Sequence, residues 1–269
     1  MDKKTADELW YWYLMGEWRV GPPGKMPLPL QLTNSVFKYI PSDPHCIECG
    51  MPRGGIGANP LRFMASKPSS FSSKLGSGCE QLIREQDSGA AVDLTMLFAD
   101  VRDSTPLAES KGTKAFQELI QRFYKDTSSV LVEHNAMVNR LTGDQVIALF
   151  VPRFAGKDQA KVAVHTALEL LRVSGHENPD GPWMPVGIGV HTGMAYVGAV
   201  GSASGVNEIA VLGSAINLCA RLSSKAAVGG IFVSEDGAMS GNLDVSGLES
   251  RSLELKGIGQ PVSVKAAKI

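Results

Sequence analysis

Two aspartates stand at the edges of short apolar runs, Asp100 in Leu94-Thr-Met-Leu-Phe-Ala-Asp-Val-Arg-Asp-Ser-Thr105 and Asp144 in Gly143-Asp-Gln-Val-Ile-Ala-Leu-Phe150. A carboxylate at a strand end, beside a turn with free backbone N–H groups, suits a divalent cation that carries a phosphate. Two such ends side by side can hold two metal ions, the arrangement used for in-line displacement at phosphorus. Either aspartate alone reads equally well as a turn residue accepting local hydrogen bonds. The third element is Leu212-Gly-Ser-Ala-Ile-Asn217-Leu-Cys-Ala-Arg221-Leu222. On a helix Asn217 and Arg221, four apart, share one face and can reach one anion.

These residues need a scaffold. The chain has 269 residues and 43% hydrophobic content, ample for one large domain or a domain with an appendage. Its 26 basic and 27 acidic residues are interspersed, without the basic stripe that nucleic acid requires. No run approaches the roughly 18 apolar residues of a spanning helix. The start, Met1-Asp-Lys-Lys-Thr-Ala-Asp-Glu, lacks a signal-peptide plan. The expectation is a cytoplasmic protein with no transmembrane segment.

Composition changes near residue 90, which divides a segment over 1–90 from a domain over 91–269. The first part is rich in Gly, Pro and Ser, as in 20–24, 54–57 and 67–73, and contains an expected helix from Thr5 to Trp18 with aromatics on more than one face. In the second part, strands are expected at Leu94–Ala99, Ala136–Arg140, Val146–Phe150, Pro185–Val200, Glu208–Leu212, Gly230–Val233, Ser252–Leu255 and Val262–Lys265. Helices are expected over Thr113–Val132, over Lys157–Val173 and around Asn217 and Arg221. This alternation predicts a layered α/β (α+β) domain with a mixed or antiparallel sheet.

The second part resembles the catalytic domain of class III adenylate and guanylate cyclases, over about residues 92 to 269. The likeness rests on Leu97-Phe-Ala-Asp-Val-Arg-Asp-Ser-Thr105, Leu141-Thr-Gly-Asp-Gln-Val-Ile-Ala148, Leu212 to Leu222, and Leu255-Lys-Gly-Ile-Gly-Gln-Pro-Val262, four motifs in the right order. The resemblance implies a ferredoxin-like βαββαβ core, a head-to-tail homodimer with composite sites, and conversion of ATP, or less readily GTP, to the 3′,5′-cyclic nucleotide and pyrophosphate. It implies that Asp100 and Asp144, with the Val101 carbonyl, hold two Mg²⁺ or Mn²⁺ ions. The turn Arg102, Asp103, Ser104 and Thr105 would offer N–H groups to the β and γ phosphates. Asn217 would orient the ribose, Arg221 would stabilise charge at the α-phosphate, and Lys256 would reach the terminal phosphates.

Two base-reading positions depart from the family. Adenylate cyclases place a lysine four residues before the second metal aspartate, where this chain has Arg140. They place Asp or Thr seven residues before the ribose-binding asparagine, where this chain has Ala210. Guanylate cyclases usually have Glu and Cys or Ser there. Arg140 keeps the positive donor character, which favours adenine, but Ala210 has no polar group for the base edge. A second reading is a catalytically weak or silent cyclase-like module with a metal- or redox-responsive N-terminal segment.

That segment contains Pro44-His-Cys46-Ile-Glu-Cys49-Gly50, which resembles half of a zinc ribbon. Its second half is incomplete. Cys79 follows, but Gly76 stands where the first cysteine of a second CxxC pair would be. A Zn²⁺ site of Cys46, Cys49 and Cys79, a relic with free thiols, and an iron–sulfur or redox sensor remain as readings. Cys219, in the expected catalytic helix, reads as a small core residue.

Overall fold

The computed structural model describes residues 3–17, 36–37, 39–40, 44–53, 69, 72, 74–201, 207–244 and 246–268; the side chains of Asn139, Arg140 and Asn207 lie outside that description. The Gly/Pro-rich stretches at 20–24 and 54–57, and most of 67–73, also fall outside it. The chain forms two compact units. One comprises residues 1–92 with 196–211, the other 93–195 with 212–269.

In the first unit, α1 (Lys3–Met15) ends three residues short of the expected Trp18 and buries Ala6, Trp10, Trp12, Tyr13 and Leu14. Aromatics on several faces are explained by this enclosure. The Trp10 ring meets Tyr13 edge-on at 5.8 Å, and its indole N–H donates to the Gln86 carbonyl at 3.3 Å. The partner helix α2 (Ser77–Arg84) turns Cys79, Glu80 and Ile83 inward.

From α2 the chain enters β1 (Gly89–Val101), a strand of 13 residues that is longer than the expected Leu94–Ala99. A short helix, α3 (Ser104–Lys111), follows. It buries no side chain, so no apolar period marks it in the sequence. Next come α4 (Thr113–Glu133), the hairpin of β2 (Met137–Thr142) and β3 (Gln145–Phe150), a single turn α5 (Pro152–Ala155), and α6 (Gln159–Val173). The strand β4 (Val186–Gly201) is one continuous element of 16 residues.

The rest of the chain forms β5 (Asn207–Leu212), α7 (Ser214–Lys225), β6 (Gly230–Ser234), α8 (Glu235–Ser240), β7 (Glu249–Leu253) and β8 (Val262–Lys268). The strands make one mixed sheet in the order β2-β3-β1-β4-β6-β8-β7, with β5 paired to β4. The first four strands of this path follow the chain order β1-α4-β2-β3-α6-β4. This is the expected βαββαβ core, with α3 added before α4. β1 and β3 are antiparallel and bring Asp100 opposite Gln145, whereas β4 and β6 are parallel.

The main core of the second unit lies between the sheet and the helices α4 and α6. Leu97, Ala99, Phe123, Leu131, Phe150, Ala167, Leu170 and Ile188 are all fully buried in it. The buried face of α6 centres on Ala163, Ala167, Leu170 and Leu171, while Val162, Val164 and Leu168 pack at its margin. Helix α7 approaches β4 closely enough for its backbone to touch the strand. A Cβ on Gly189 would stand 2.4 Å from the Ser223 nitrogen and 2.7 Å from the Cys219 carbonyl oxygen, and one on Gly187 would stand 2.7 Å from the Ala226 carbonyl oxygen. The glycines that interrupt the expected strand therefore admit the helix.

Because the atoms met are backbone, Gly189→Ala must displace α7. We expect a loss of about 1–3 kcal/mol in unfolding free energy, the usual cost of overpacking a well-filled site, measured by urea denaturation against wild type.

Candidate functional site

Asp100 occupies the penultimate position of β1, and Asp144 follows Gly143 in the two-residue turn that joins β2 to β3. Gly143 has φ +62°, a left-handed conformation that favours glycine, and its carbonyl accepts from the Tyr124 hydroxyl at 2.7 Å. The Val101 amide donates to the Asp144 carbonyl at 2.9 Å, which fixes the two aspartates side by side. The Asp100 side chain is 19% exposed and forms an ion pair with Arg102. Burial raises its pKa, the Arg102 charge and hydrogen bond oppose that rise, and the nearby Asp144 adds to it. The Ser104 hydroxyl donates to Asp144.

Two neighbouring carboxylates, one of them carrying a guanidinium, form a donor set of hard oxygen atoms suited to Mg²⁺ or Mn²⁺. Val101 lies directly after Asp100 at the strand end. The following turn is strained in a limited way, since Asp103 has φ +51° before α3 begins at Ser104. One expectation needs correction. The Arg102 amide donates to the Pro185 carbonyl at 2.7 Å, so it is not open to a phosphate. Its side chain is also engaged, with a 3.0 Å bond to the Ser224 carbonyl besides the Asp100 pair. The Ser104 and Thr105 amides stand at the start of α3, where a helix leaves its first N–H groups without intrahelical acceptors. Ser104, Thr105 and Asp144 line one cavity of about 590 Å³, with Phe116 and Ile120 of α4 on its other side.

Asn217, Arg221 and Lys256 line a different cavity of about 670 Å³. The i,i+4 spacing on α7 places Asn217 and Arg221 on one exposed face, as the sequence predicts, and the turn before β8 brings Lys256 to them. Sequence reasoning missed His191, Thr192 and Asp236 in the same wall. His191 is buried, and its Nδ1 lies 2.7 Å from the Ser234 hydroxyl. Burial lowers its pKa, with Asp236 opposing the shift, so the ring is neutral near pH 7. A polar residue in the otherwise apolar and glycine-rich stretch from Val186 was the available signal.

Cys219 is fully buried and its thiol donates to the Met96 and Gly189 carbonyls at 3.3 and 3.4 Å. Burial raises its pKa, in keeping with an inert core thiol. The base-reading positions are less defined. Ala210 lies on β5, half-buried, and is not among the residues lining the Asn217 cavity; the Arg140 side chain is outside the described residues.

A second cluster lies in the N-terminal unit. The Sγ atoms of Cys46, Cys49 and Cys79 lie within 4.8 Å of one another, and all three residues are buried. The CxxC turn is closed by Gly50 N–H donating to the Cys46 carbonyl at 2.9 Å, with Gly50 at φ +70°. Gly76 donates its amide to Cys46 Sγ at 3.3 Å. Hydrogen bonds from the other two thiols lower the Cys46 pKa, and the same sharing raises those of Cys49 and Cys79. His45 turns away, with Nε2 3.0 Å from the Ile40 carbonyl oxygen.

A family model for the adenylate and guanylate cyclase catalytic domain matches residues 87–265, and the chain belongs to that family. An adenylate cyclase of Mycobacterium tuberculosis is 26% identical over 171 residues, which is 63% of this chain and 37% of that protein. The chain spans well under two thirds of the curated relatives it matches, down to 17% of a Rhizobium meliloti protein. Among solved structures, the guanylyl cyclase Cya2 is 25% identical with a TM-score of 0.59, covering 66% of this chain and 92% of that one. The adenylyl cyclase CyaB from P. aeruginosa shares the fold, with 21% identity, a TM-score of 0.58, and coverage of 68% and 97%. Among the described residues, no helix is long and apolar enough to cross a membrane.

Proposed function

We propose that this chain is a homodimeric nucleotide cyclase that converts ATP, and GTP less well, to the 3′,5′-cyclic nucleotide and pyrophosphate. The observation that carries the proposal is the division of the predicted machinery between two cavities. The cavity bordered by Asp144, Ser104 and Thr105 contains none of Asn217, Arg221 and Lys256, which share another. A head-to-tail dimer would place the first set of one subunit opposite the second set of its partner, forming two composite sites.

In such a site Asp100 and Asp144, with the Val101 carbonyl, hold two Mg²⁺ or Mn²⁺ ions. When bound, these ions supply charge neutralisation and a lowered pKa for the ribose 3′-hydroxyl. The amides at the start of α3 receive the phosphate oxygens. Asn217 fixes the ribose so that the 3′-oxygen lies in line with the α-phosphorus. The 3′-hydroxyl gives up its proton to solvent as a bond forms between its oxygen and phosphorus and the bond to the pyrophosphate oxygen breaks. Arg221 meets the charge that grows on the α-phosphoryl oxygens, and Lys256 meets the charge on the departing pyrophosphate. For the carboxylates to serve, Arg102 must yield Asp100 to the cation, and its second bond to Ser224 gives it somewhere to remain. Adenine is favoured because position 140 retains a cationic donor.

The thiol cluster is read as a Zn²⁺ site that braces the N-terminal unit. Three buried thiols fit a soft tetrahedral cation better than any other arrangement of reduced cysteines in a small unit. The adjacent cavity of about 30 Å³ is lined by Trp12 and Tyr13 of α1 together with Cys79, Leu82 and Ile83, so the cluster underlies the seat of the aromatic helix.

Product formation from ATP and GTP, each with Mn²⁺ and Mg²⁺, tests the activity. Asp100→Ala is expected to reduce it to background, and an active variant with unchanged metal affinity would refute the site. Arg221→Ala should lower turnover about 10²–10³-fold with little change in nucleotide affinity. Mixing Asp100→Ala and Arg221→Ala chains tests the composite site directly. Random pairing puts one intact site in half of the dimers, so activity should return to about a quarter of wild type; no recovery on subunit exchange would refute the shared site. Zinc bound at one equivalent per chain, released by a mercurial thiol reagent and absent from Cys79→Ser, is expected for the thiol cluster. Metal-free protein with freely titrating thiols would refute it.

A further inference from the structure

A third group of metal-ligating side chains lies outside both sites. His165 and Glu169 are four apart on α6 and share a face, and His134 caps the C-terminus of α4 beside them. One donor atom from each of the three lies within 4.8 Å of the others. His134 Nε2 is 2.7 Å from Glu169 Oε2, and the two imidazoles meet edge to face at 5.2 Å. The His134 and Glu169 side chains are 19% and 31% exposed, so the pair is shielded while His165 stands at the surface.

We propose that His134, His165 and Glu169 form a binding site for a first-row divalent transition metal of the zinc class, which clamps the end of α4 to α6. Two imidazoles and one carboxylate are a borderline-soft donor set. It suits Zn²⁺, Co²⁺ or Ni²⁺, with a remaining position for water, and does not suit Mg²⁺ or Ca²⁺, which require oxygen ligands. The three side chains come from two helices already packed through Val130, Leu131, Ala163, Ala167 and Leu170. Little backbone freedom is therefore lost on binding. The other end of α4 carries Thr113, Phe116 and Ile120 in the wall of the Asp144 cavity. A cation at His134 would thus anchor the far end of a helix that shapes the nucleotide cavity.

The alternative is a plain hydrogen-bonded His134–Glu169 pair with His165 stacked beside it, and the two differ in stoichiometry. Zn²⁺ titration of the full chain by calorimetry, in reductant and excess Mg²⁺, should give one equivalent more for wild type than for His165→Ala or Glu169→Gln. Asp100→Ala and Cys79→Ser should keep that equivalent, which separates this site from the aspartates and the thiols. In wild type, Zn²⁺ should also protect His134 and His165 from diethylpyrocarbonate while leaving His176 unchanged, a readout that needs no variant to fold. Equal stoichiometry in wild type and both variants, or no protection of the two histidines, would overturn the proposal.

Discussion

The close approach of α7 to β4 is the constraint on which the second unit depends. A helix normally rests on a sheet through side chains, at a distance set by their bulk. Here Gly187 and Gly189 remove that spacer, and backbone atoms of Cys219, Ser223 and Ala226 come to where a Cβ would be. Among the buried side chains of α7, that of Cys219 is small, and its thiol uses carbonyls of β1 and β4 as acceptors. With this face fixed, the opposite face of α7 carries Asn217 and Arg221 outward at a defined height above the sheet. The same seam anchors the aspartate turn, because Arg102 reaches the Ser224 carbonyl near the end of α7 while pairing with Asp100.

The aspartate end of the sheet is held by local electrostatic pairing. Two carboxylates fixed beside each other repel, and burial makes the charged form of Asp100 more costly. Arg102 and Ser104 offset both effects, one by charge and one by a hydrogen bond. Each is local in sequence to Asp100, while Arg102 also ties the turn to Pro185 and Ser224. The Asn217 cavity has the opposite character. It is exposed, cationic through Arg221 and Lys256, and walled by a neutral buried histidine. Each half of the predicted machinery is chemically incomplete and complementary to the other.

The N-terminal unit follows a different plan. Its sequence lacks the apolar periods that build a core, and its order comes from a few aromatic side chains and a cluster of thiols. Small units with little core depend on a few closely packed groups, which stand in for the missing buried area. Trp10, Trp12 and Tyr13 supply the area, and the three cysteines join the turn at 46–49 to the first turn of α2.

The sequence alone picked out the candidate site residues and determined the order of the main elements. Strands with alternating or continuous apolar residues, helices with a buried stripe, and the Thr142-Gly143 turn are local patterns, and each is found at its expected place, although β1 runs from Gly89 to Val101 rather than from Leu94 to Ala99 and α1 stops at Met15. The i,i+4 spacing was enough to place Asn217 and Arg221 on one face. Helix α3 was not legible, because a helix that buries nothing leaves no period, and Arg102 looked free because its partner Pro185 is 83 residues away by number. His191, Asp236 and the His134, His165 and Glu169 group were equally hidden. Their relations are set by which strands pair and which helices touch. Only the tertiary structure decides such contacts, since they depend on packing between segments that the local sequence does not record.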